Sequence, residues 1–148
     1  MLNGNRKSEI GNRKSEIGNR KSETEFMPYV SFEDLDVWKR ASDMAVNVYQ
    51  QLNDCRDFGL KDQMTRAAVS IPSNIAEGAE RDSNLEYARF VHIAKGSAAE
   101  LRTQLMIASR IGVMPPEAAN KLIEETKIIS AMLHKLAVSI KKKTTLNP

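Results

Sequence analysis

Apolar residues recur every three or four positions from Ser31 onward, and this spacing predicts α-helices throughout that part of the chain. No stretch alternates apolar and polar residues over more than a few positions, so no β-strand is expected. Short connections force consecutive helices to run antiparallel, which predicts an all-α, up-down-up-down four-helix bundle. The four expected helices run from Phe32 to Asp54, Leu60 to Glu80, Asn84 to Ile111 and Pro115 to Lys141.

Local signals mark the ends of these helices. Ser31 with Asp34, and Ser83 with Glu86, have the three-residue spacing of capping boxes. Gly112 suits a left-handed helix end. Pro72 lies inside the second helix, where it removes a hydrogen bond to the carbonyl of the residue four positions earlier, so we expect a kink. A break into two short helices is the alternative.

Each helix carries one apolar stripe that is expected to face the core. The stripes consist of Trp38, Ala41, Ala45, Val48, Tyr49 and Leu52 in the first helix; Leu60, Met64, Ala67, Ile71, Ile75 and Gly78 in the second; Tyr87, Val91, Ala94, Ala98, Leu101, Leu105 and Ala108 in the third; and Ala118, Leu122, Ile129, Met132, Leu133, Leu136 and Ile140 in the fourth.

Other apolar residues lie on the opposite sides of the second and third helices. Isolated apolar residues are common on protein surfaces, which is the simpler interpretation. Three isoleucines aligned along the back of one helix instead favour a contact between subunits, so we expect a homo-oligomer. The candidate interface residues are Val69, Ala76, Ile93, Ile107 and Ile111.

The first thirty residues have a different character from the rest. The heptapeptide GNRKSEI occurs at 4–10 and again at 11–17, and a third copy at 18–24 differs at one position. Each copy has one apolar residue together with a glycine and an asparagine, whereas a coiled coil needs two apolar positions per heptad. We therefore expect a disordered tail at 1–30 and one helical domain at 31–148. A basic arm that contacts nucleic acid is the alternative.

Composition narrows the class of protein. A chain of 148 residues supports one buried core. Cys55 is the single cysteine, so an intramolecular disulfide is excluded. No apolar run approaches the roughly 20 residues that span a bilayer, and no secretory signal is visible, so we expect a cytoplasmic protein without membrane contact. The net charge of +3 is weak evidence for nucleic-acid binding, because the helical body without the lysines at 141–143 is close to neutral.

The central segment, 59–105, resembles the hallmark of the four-helix-bundle proteins encoded in intervening sequences of bacterial 23S rRNA genes. The most specific pieces are AVSIPSNIAEG at 68–78 and GSAAEL at 96–101, and the similarity extends over about 32–140. The fold also looks like that of the accessory variability determinant of diversity-generating retroelements, a pentamer that binds nucleic acid and partners a reverse transcriptase. The resemblance implies a homopentamer, with RNA or DNA and a reverse transcriptase as possible partners.

The first signature piece also has a physical interpretation. Ser70, Asn74 and Glu77 share one face of the second helix near Pro72. The first two could satisfy carbonyls freed by the proline, and Glu77 could pair with an arginine such as Arg66, Arg81 or Arg102. The alternative is a polar cluster that lines a subunit interface or a channel. Gly78 and Gly96 are expected to allow close helix approach, because a glycine within a helix costs about 1 kcal/mol relative to alanine.

Catalytic features are weak. His92 and His134 lie on separate helices without neighbours at metal-ligand spacing, and the glycines do not form a phosphate-binding loop. Cys55 is followed by Arg56, which could activate it, but an inert thiol at a helix end is the simpler interpretation. We expect neither an enzyme nor a cofactor.

Two functional hypotheses remain. The oligomer could bind RNA or DNA through basic side chains that symmetry repeats around it. It could instead be a scaffold that binds another protein without touching nucleic acid, which the nearly neutral helical body favours. The candidate nucleic-acid-binding residues are Arg66, Arg81, Arg89, Lys95, Arg102, Arg110, Lys141, Lys142 and Lys143.

Overall fold

The structure, a computed structural model, describes residues 31–146, and the expected disordered tail at 1–30 lies outside these residues. The described part contains helices and turns but no strand, which confirms the all-α class. A short 3₁₀ turn at Phe32–Asp34 precedes four α-helices. We label them α1 (Asp36–Gln51), α2 (Phe58–Ala79), α3 (Asn84–Arg110) and α4 (Pro116–Leu146).

The first helix is shorter at both ends than the predicted Phe32–Asp54. The Ser31 hydroxyl accepts a hydrogen bond from the Glu33 amide at 3.3 Å, so it caps the 3₁₀ turn and not α1. Leu35 is extended, with φ −74° and ψ 122°. This bend lets Leu35 pack against the core and sets the ring of Phe32 edge-on to that of Trp38, with 5.3 Å between centroids. The packing of these apolar side chains therefore overrides the local capping signal.

The second helix is continuous through Pro72, so the alternative of two short helices is wrong. The helix begins two residues earlier than predicted. Asp57 supplies its cap, because the Asp57 side chain accepts a hydrogen bond from the Leu60 amide at 3.1 Å. Pro72 itself is buried in the core.

The limits of α3 agree with the prediction to within one residue. The Ser83 hydroxyl accepts from the Glu86 amide at 3.1 Å, which confirms the cap. At the other end Gly112 has φ +78°, and the Val113 amide donates to the Ala108 carbonyl at 2.9 Å. The last helix, α4, continues five residues beyond the predicted end at Lys141.

The four helices are antiparallel, and each contacts two of the others. Each helix packs against the next one in the chain, and α1 also packs against α4. Within residues 31–146 neither diagonal pair is in contact, and the most extensive packing is that of α3 on α4. This arrangement is the expected up-down-up-down bundle.

The core consists mainly of the predicted stripes. Tyr49 is the clear exception, since it is 51% exposed. It lies at the edge of the α1 stripe, about 100° around the helix from Val48, which is fully buried. Several predicted positions are half-buried at the margin of the core: Trp38, Leu60, Tyr87, Ala118, Met132 and Leu136. The structure adds buried residues that the stripes omitted, chiefly Val37, Met44, Ala68, Ala88, Met114, Ala119, Ile123 and Ala137.

Candidate functional site

The two signature segments meet in the structure. Ser70 on α2 and Ser97 on α3 share a hydrogen bond between their hydroxyls at 2.9 Å. The Asn74 amide donates to the Ser70 carbonyl at 2.7 Å and to the Ser70 hydroxyl at 2.9 Å. The Asn74 amide therefore supports the carbonyl of Ser70 and not that of Ala68, the acceptor that Pro72 leaves without its helical donor. These three half-buried polar side chains link α2 to α3.

Glu77 lies apart from that network. Its carboxylate is 2.9 Å from the Arg81 guanidinium, so Arg81 is the partner among the three arginines considered. Both side chains are largely solvent-exposed. The Arg81 guanidinium also lies over the Phe90 ring at 4.8 Å from its centroid, a cation–π contact between the end of α2 and α3. Glu77 therefore helps to position Arg81 and does not extend the serine–asparagine cluster.

The two signature glycines have different surroundings. A methyl group at Gly78 would come within 2.6 Å of Phe90 Cβ and 3.3 Å of the Tyr87 carbonyl, so this glycine permits close approach of α2 and α3. Gly96 is exposed, and a methyl group there would meet nothing within 4 Å. The expected close approach is therefore confirmed at Gly78 and wrong at Gly96 within the protomer. Desolvation raises the pKa of the half-buried Tyr87 hydroxyl.

The candidate basic residues fall into three groups along the bundle. We call the end at which α2 and α4 finish and α3 begins the lower end. Arg81, Arg89 and the lysines at 141–143 lie there, because Arg81 lies two residues beyond the end of α2, Arg89 lies near the start of α3, and the lysines lie near the end of α4. All five are exposed, and none except Arg81 makes an ion pair with another residue of the 31–146 region.

Two candidates in the middle of α3 face α4. Arg102 Nε donates to the Thr126 hydroxyl at 3.0 Å, and its terminal nitrogen donates to the Ser130 hydroxyl at 3.0 Å. Lys95 Nζ lies 3.4 Å from His134 Nδ1. Both basic side chains are half-buried, so their polar groups serve the packing of α3 on α4.

The remaining two candidates lie toward the opposite end of the bundle. Arg66 is held by Asp62 one turn earlier, at 3.0 Å. Arg110 is exposed at the last position of α3. The structure therefore does not bring the nine predicted basic residues into one patch.

The candidate interface residues are mostly exposed in the protomer. The exposed fractions are 42% for Val69, 43% for Ile93, 46% for Ile107 and 57% for Ile111, while Ala76 is half-buried. The structure also exposes large apolar side chains that the predicted interface did not include: Val46, Phe58, Leu85, Met106, Ile128 and Val138.

An ion pair that the sequence did not reveal connects the first and last helices. Arg40 on α1 makes two hydrogen bonds with the Glu125 carboxylate on α4, at 2.8 and 2.9 Å. The hydrogen bond to Glu125, with its negative charge, raises the pKa of Arg40. The ion pair lines a groove of about 430 Å³ together with Asp43, Asn47 and Lys121. No local signal could identify this pair, because the partners lie 85 residues apart in the chain.

The helices do not assemble a recognisable metal centre. Across 31–146 no cluster of three or more His, Cys, Asp or Glu side chains is placed to hold a metal ion. Cys55 Sγ lies 3.6 Å from the Asp57 carbonyl, and His92 is exposed. Among the described helices none is long and apolar enough to cross a membrane.

Comparison with known proteins agrees with this geometry. The family model of the 23S rRNA-intervening sequence proteins matches residues 33–135, which include all the signature contacts above. The chain belongs to this family. Its fold is similar to the crystal structure of a protein of unknown function from the S23 ribosomal protein family of Bacteroides thetaiotaomicron, with a TM-score of 0.65 and 23% identity over 68% of this chain and 97% of that one. No curated protein matches the chain significantly.

Proposed function

We propose that this family member is a non-catalytic homo-oligomer that binds RNA or DNA at the lower end of the bundle. The observation that carries the proposal is the run of Lys141, Lys142 and Lys143, which is exposed and makes no ion pair with the described residues. Arg81 and Arg89 lie at the same end. Unpaired cations near one another attract phosphates, and an oligomer repeats the group in every subunit.

The other candidate cations contribute less to this proposal. Arg102 and Lys95 are turned toward α4, and Arg66 lies toward the opposite end of the bundle. Arg110 lies at the far end of α3. The proposed contact surface is therefore Arg81, Arg89, Lys141, Lys142 and Lys143.

The resemblance to the retroelement determinant supports five copies and a reverse transcriptase as a protein partner. Both extend the same proposal. Light scattering would give the number of copies as a multiple of the 16.6 kDa protomer. Co-purification with the product of a neighbouring reverse transcriptase gene would support the protein partner.

A titration with labelled RNA and duplex DNA tests the nucleic-acid part. The logarithm of the binding constant should fall linearly with the logarithm of salt concentration between about 50 and 200 mM. Replacing Lys141, Lys142 and Lys143 by glutamine should reduce the slope by about 0.9 for each phosphate of duplex DNA that the variant no longer neutralises. The matched control replaces Arg56, Arg110 and Lys121, which are exposed toward the opposite end of the bundle, and should change the slope much less.

Two results would contradict the proposal in different ways. An unchanged slope in the lysine variant would exclude that run as the contact. Absence of any salt-dependent binding would favour the second candidate, an oligomeric scaffold that binds another protein. Glu80, Asp82 and Glu86 lie at the same end and favour that second candidate, because their negative charges oppose phosphate binding.

A further inference from the structure

The side of α3 that faces α4 carries cations and no carboxylate. Around the helix axis, at 100° per residue, His92, Lys95 and Arg102 lie within an arc of about 80°. The two acidic residues of α3, Glu86 and Glu100, lie about 180° and 140° away from Lys95. A phosphate backbone on this side of α3 would therefore avoid both carboxylates.

The last helix continues this basic side downward to the lysine run. His134 and Lys141 are seven residues apart, so they lie within about 20° of each other around α4 and about 10 Å apart along it. Lys95 lies against His134, so this side of α4 faces α3. Both histidines and Lys141 are exposed, and Lys95 is half-buried. We call His92, Lys95, His134 and Lys141 the basic row.

The contact of Lys95 with His134 requires an uncharged imidazole. An ammonium group carries only donors, so Lys95 Nζ donates to His134 Nδ1 across 3.4 Å. When His134 takes up a proton this acceptor is lost, and two cations lie beside each other. The flexible lysine side chain is then free to turn toward solvent. A lower pH thus adds a charge to the row and releases a second one.

The described helices offer no carboxylate that neutralises a charged His134. The nearest acidic residues of α4, Glu124 and Glu125, lie about 15 Å and 13 Å before it along the helix. They are paired with Lys127 and Arg40. From α3, the helix packed on this side of α4, the groups that face His134 are basic, as described above. A bound phosphate would supply the missing negative charge.

We infer that the bound nucleic acid follows the basic row from the lysine run toward His134, and that its binding strengthens as the pH falls. The inference rests on the proposed function and adds His92 and His134 to its contact surface. Histidine is the side chain whose ordinary change of charge lies between about pH 5 and 8, so the effect belongs to that range. The two histidines are the only ones in the chain.

The test measures binding of labelled RNA and duplex DNA over the same salt series at about pH 7.5 and pH 5.5. On duplex DNA the slope of affinity against salt should steepen at the lower pH by about 0.9 for each additional phosphate that the row neutralises. Replacing both histidines, His92→Gln with His134→Gln, should abolish this steepening. The matched control is Lys135→Gln, exposed on α4 about 100° from His134, which should retain it.

The possible failures are distinguishable. A wild-type slope that is equal at both pH values, while the lysine run still determines it, would overturn the inference and leave the proposed function standing. Absence of salt-dependent binding at both pH values would overturn both. Steepening that persists in the double variant would also exclude the row.

A measurement on the wild-type chain keeps the test decisive if the double variant loses its helicity in circular dichroism. Titration calorimetry near pH 6.5, in two buffers of different ionisation enthalpy, counts the protons that accompany binding. The charged row should take up protons when the nucleic acid binds. Binding without proton uptake would overturn the inference.

Discussion

Two glycines of this bundle, Gly78 and Gly96, have very different surroundings. Gly78 is buried at the contact of α2 with α3, where Phe90 occupies the space of a side chain. Gly96 is exposed and faces open space. Helix propensity is the same at both positions, so only the atoms opposite each glycine distinguish them.

Gly78→Ala should destabilise the protomer. The added methyl group would lie 2.6 Å from Phe90 Cβ, an atom that cannot move without shifting the backbone of α3. We expect the free energy of unfolding to fall by about 1 to 3 kcal/mol, despite the better helix propensity of alanine. Urea unfolding measures this change. Gly59→Ala is the control, because its methyl group would have only an ordinary contact at 3.8 Å and stability should hold or rise.

At the scale of elements, α3 carries most of the connections in the bundle. It has the most extensive packing, against α4, and it also contacts α2 through Ser97 and Phe90. Arg102 connects α3 to two positions of α4 one turn apart, Thr126 and Ser130. Arg102, which the sequence predicts as a phosphate contact, thus links α3 to α4.

Arg102→Met should separate these two interpretations. Methionine keeps much of the apolar stem but removes the hydrogen bonds to Thr126 and Ser130, so we expect a loss of about 1 to 3 kcal/mol in unfolding free energy. The slope of nucleic-acid affinity against salt should stay unchanged. Arg110→Met is the control for stability, since Arg110 is exposed at the end of α3. A reduced salt slope with unchanged stability would show that Arg102 contacts phosphate.

At the scale of the whole molecule, the contact of α1 with α4 closes the bundle. It is the contact most distant in sequence, and it is less extensive than that of any two consecutive helices. Arg40 and Glu125 bridge it with a two-pronged ion pair whose side chains remain partly exposed. The stability that this ion pair contributes is electrostatic and therefore depends on the salt concentration.

Glu125→Gln should lower the melting temperature at low ionic strength, and the difference from wild type should shrink in about 1 M salt. The matched control is Glu124→Gln, which breaks an exposed pair with Lys127 inside α4 and leaves the α1–α4 contact intact. Calorimetry at two salt concentrations measures both. Equal effects of the two substitutions would mean that the bridge between α1 and α4 has no special role in closing the bundle.

The sequence by itself determined the helical class, the order of four helices, most of the core and the limits of α3. These features follow from local periodicity and from caps such as Ser83, whose partners lie within a few residues. Of the candidate site, sequence spacing identified Arg81 as a possible partner of Glu77 and placed the lysine run near the end of α4.

The tertiary structure decided what depends on neighbours distant in the chain. Because Leu35 and Phe32 pack against other apolar side chains, α1 begins later than the sequence predicts. Tyr49 lies at the edge of the core. It joined Arg40 to Glu125, turned Arg102 toward α4, and filled the space beside Gly78 while leaving that beside Gly96 open. Periodicity gives the side of a helix on which a residue lies, whereas the atoms that it meets there depend on how the helices pack.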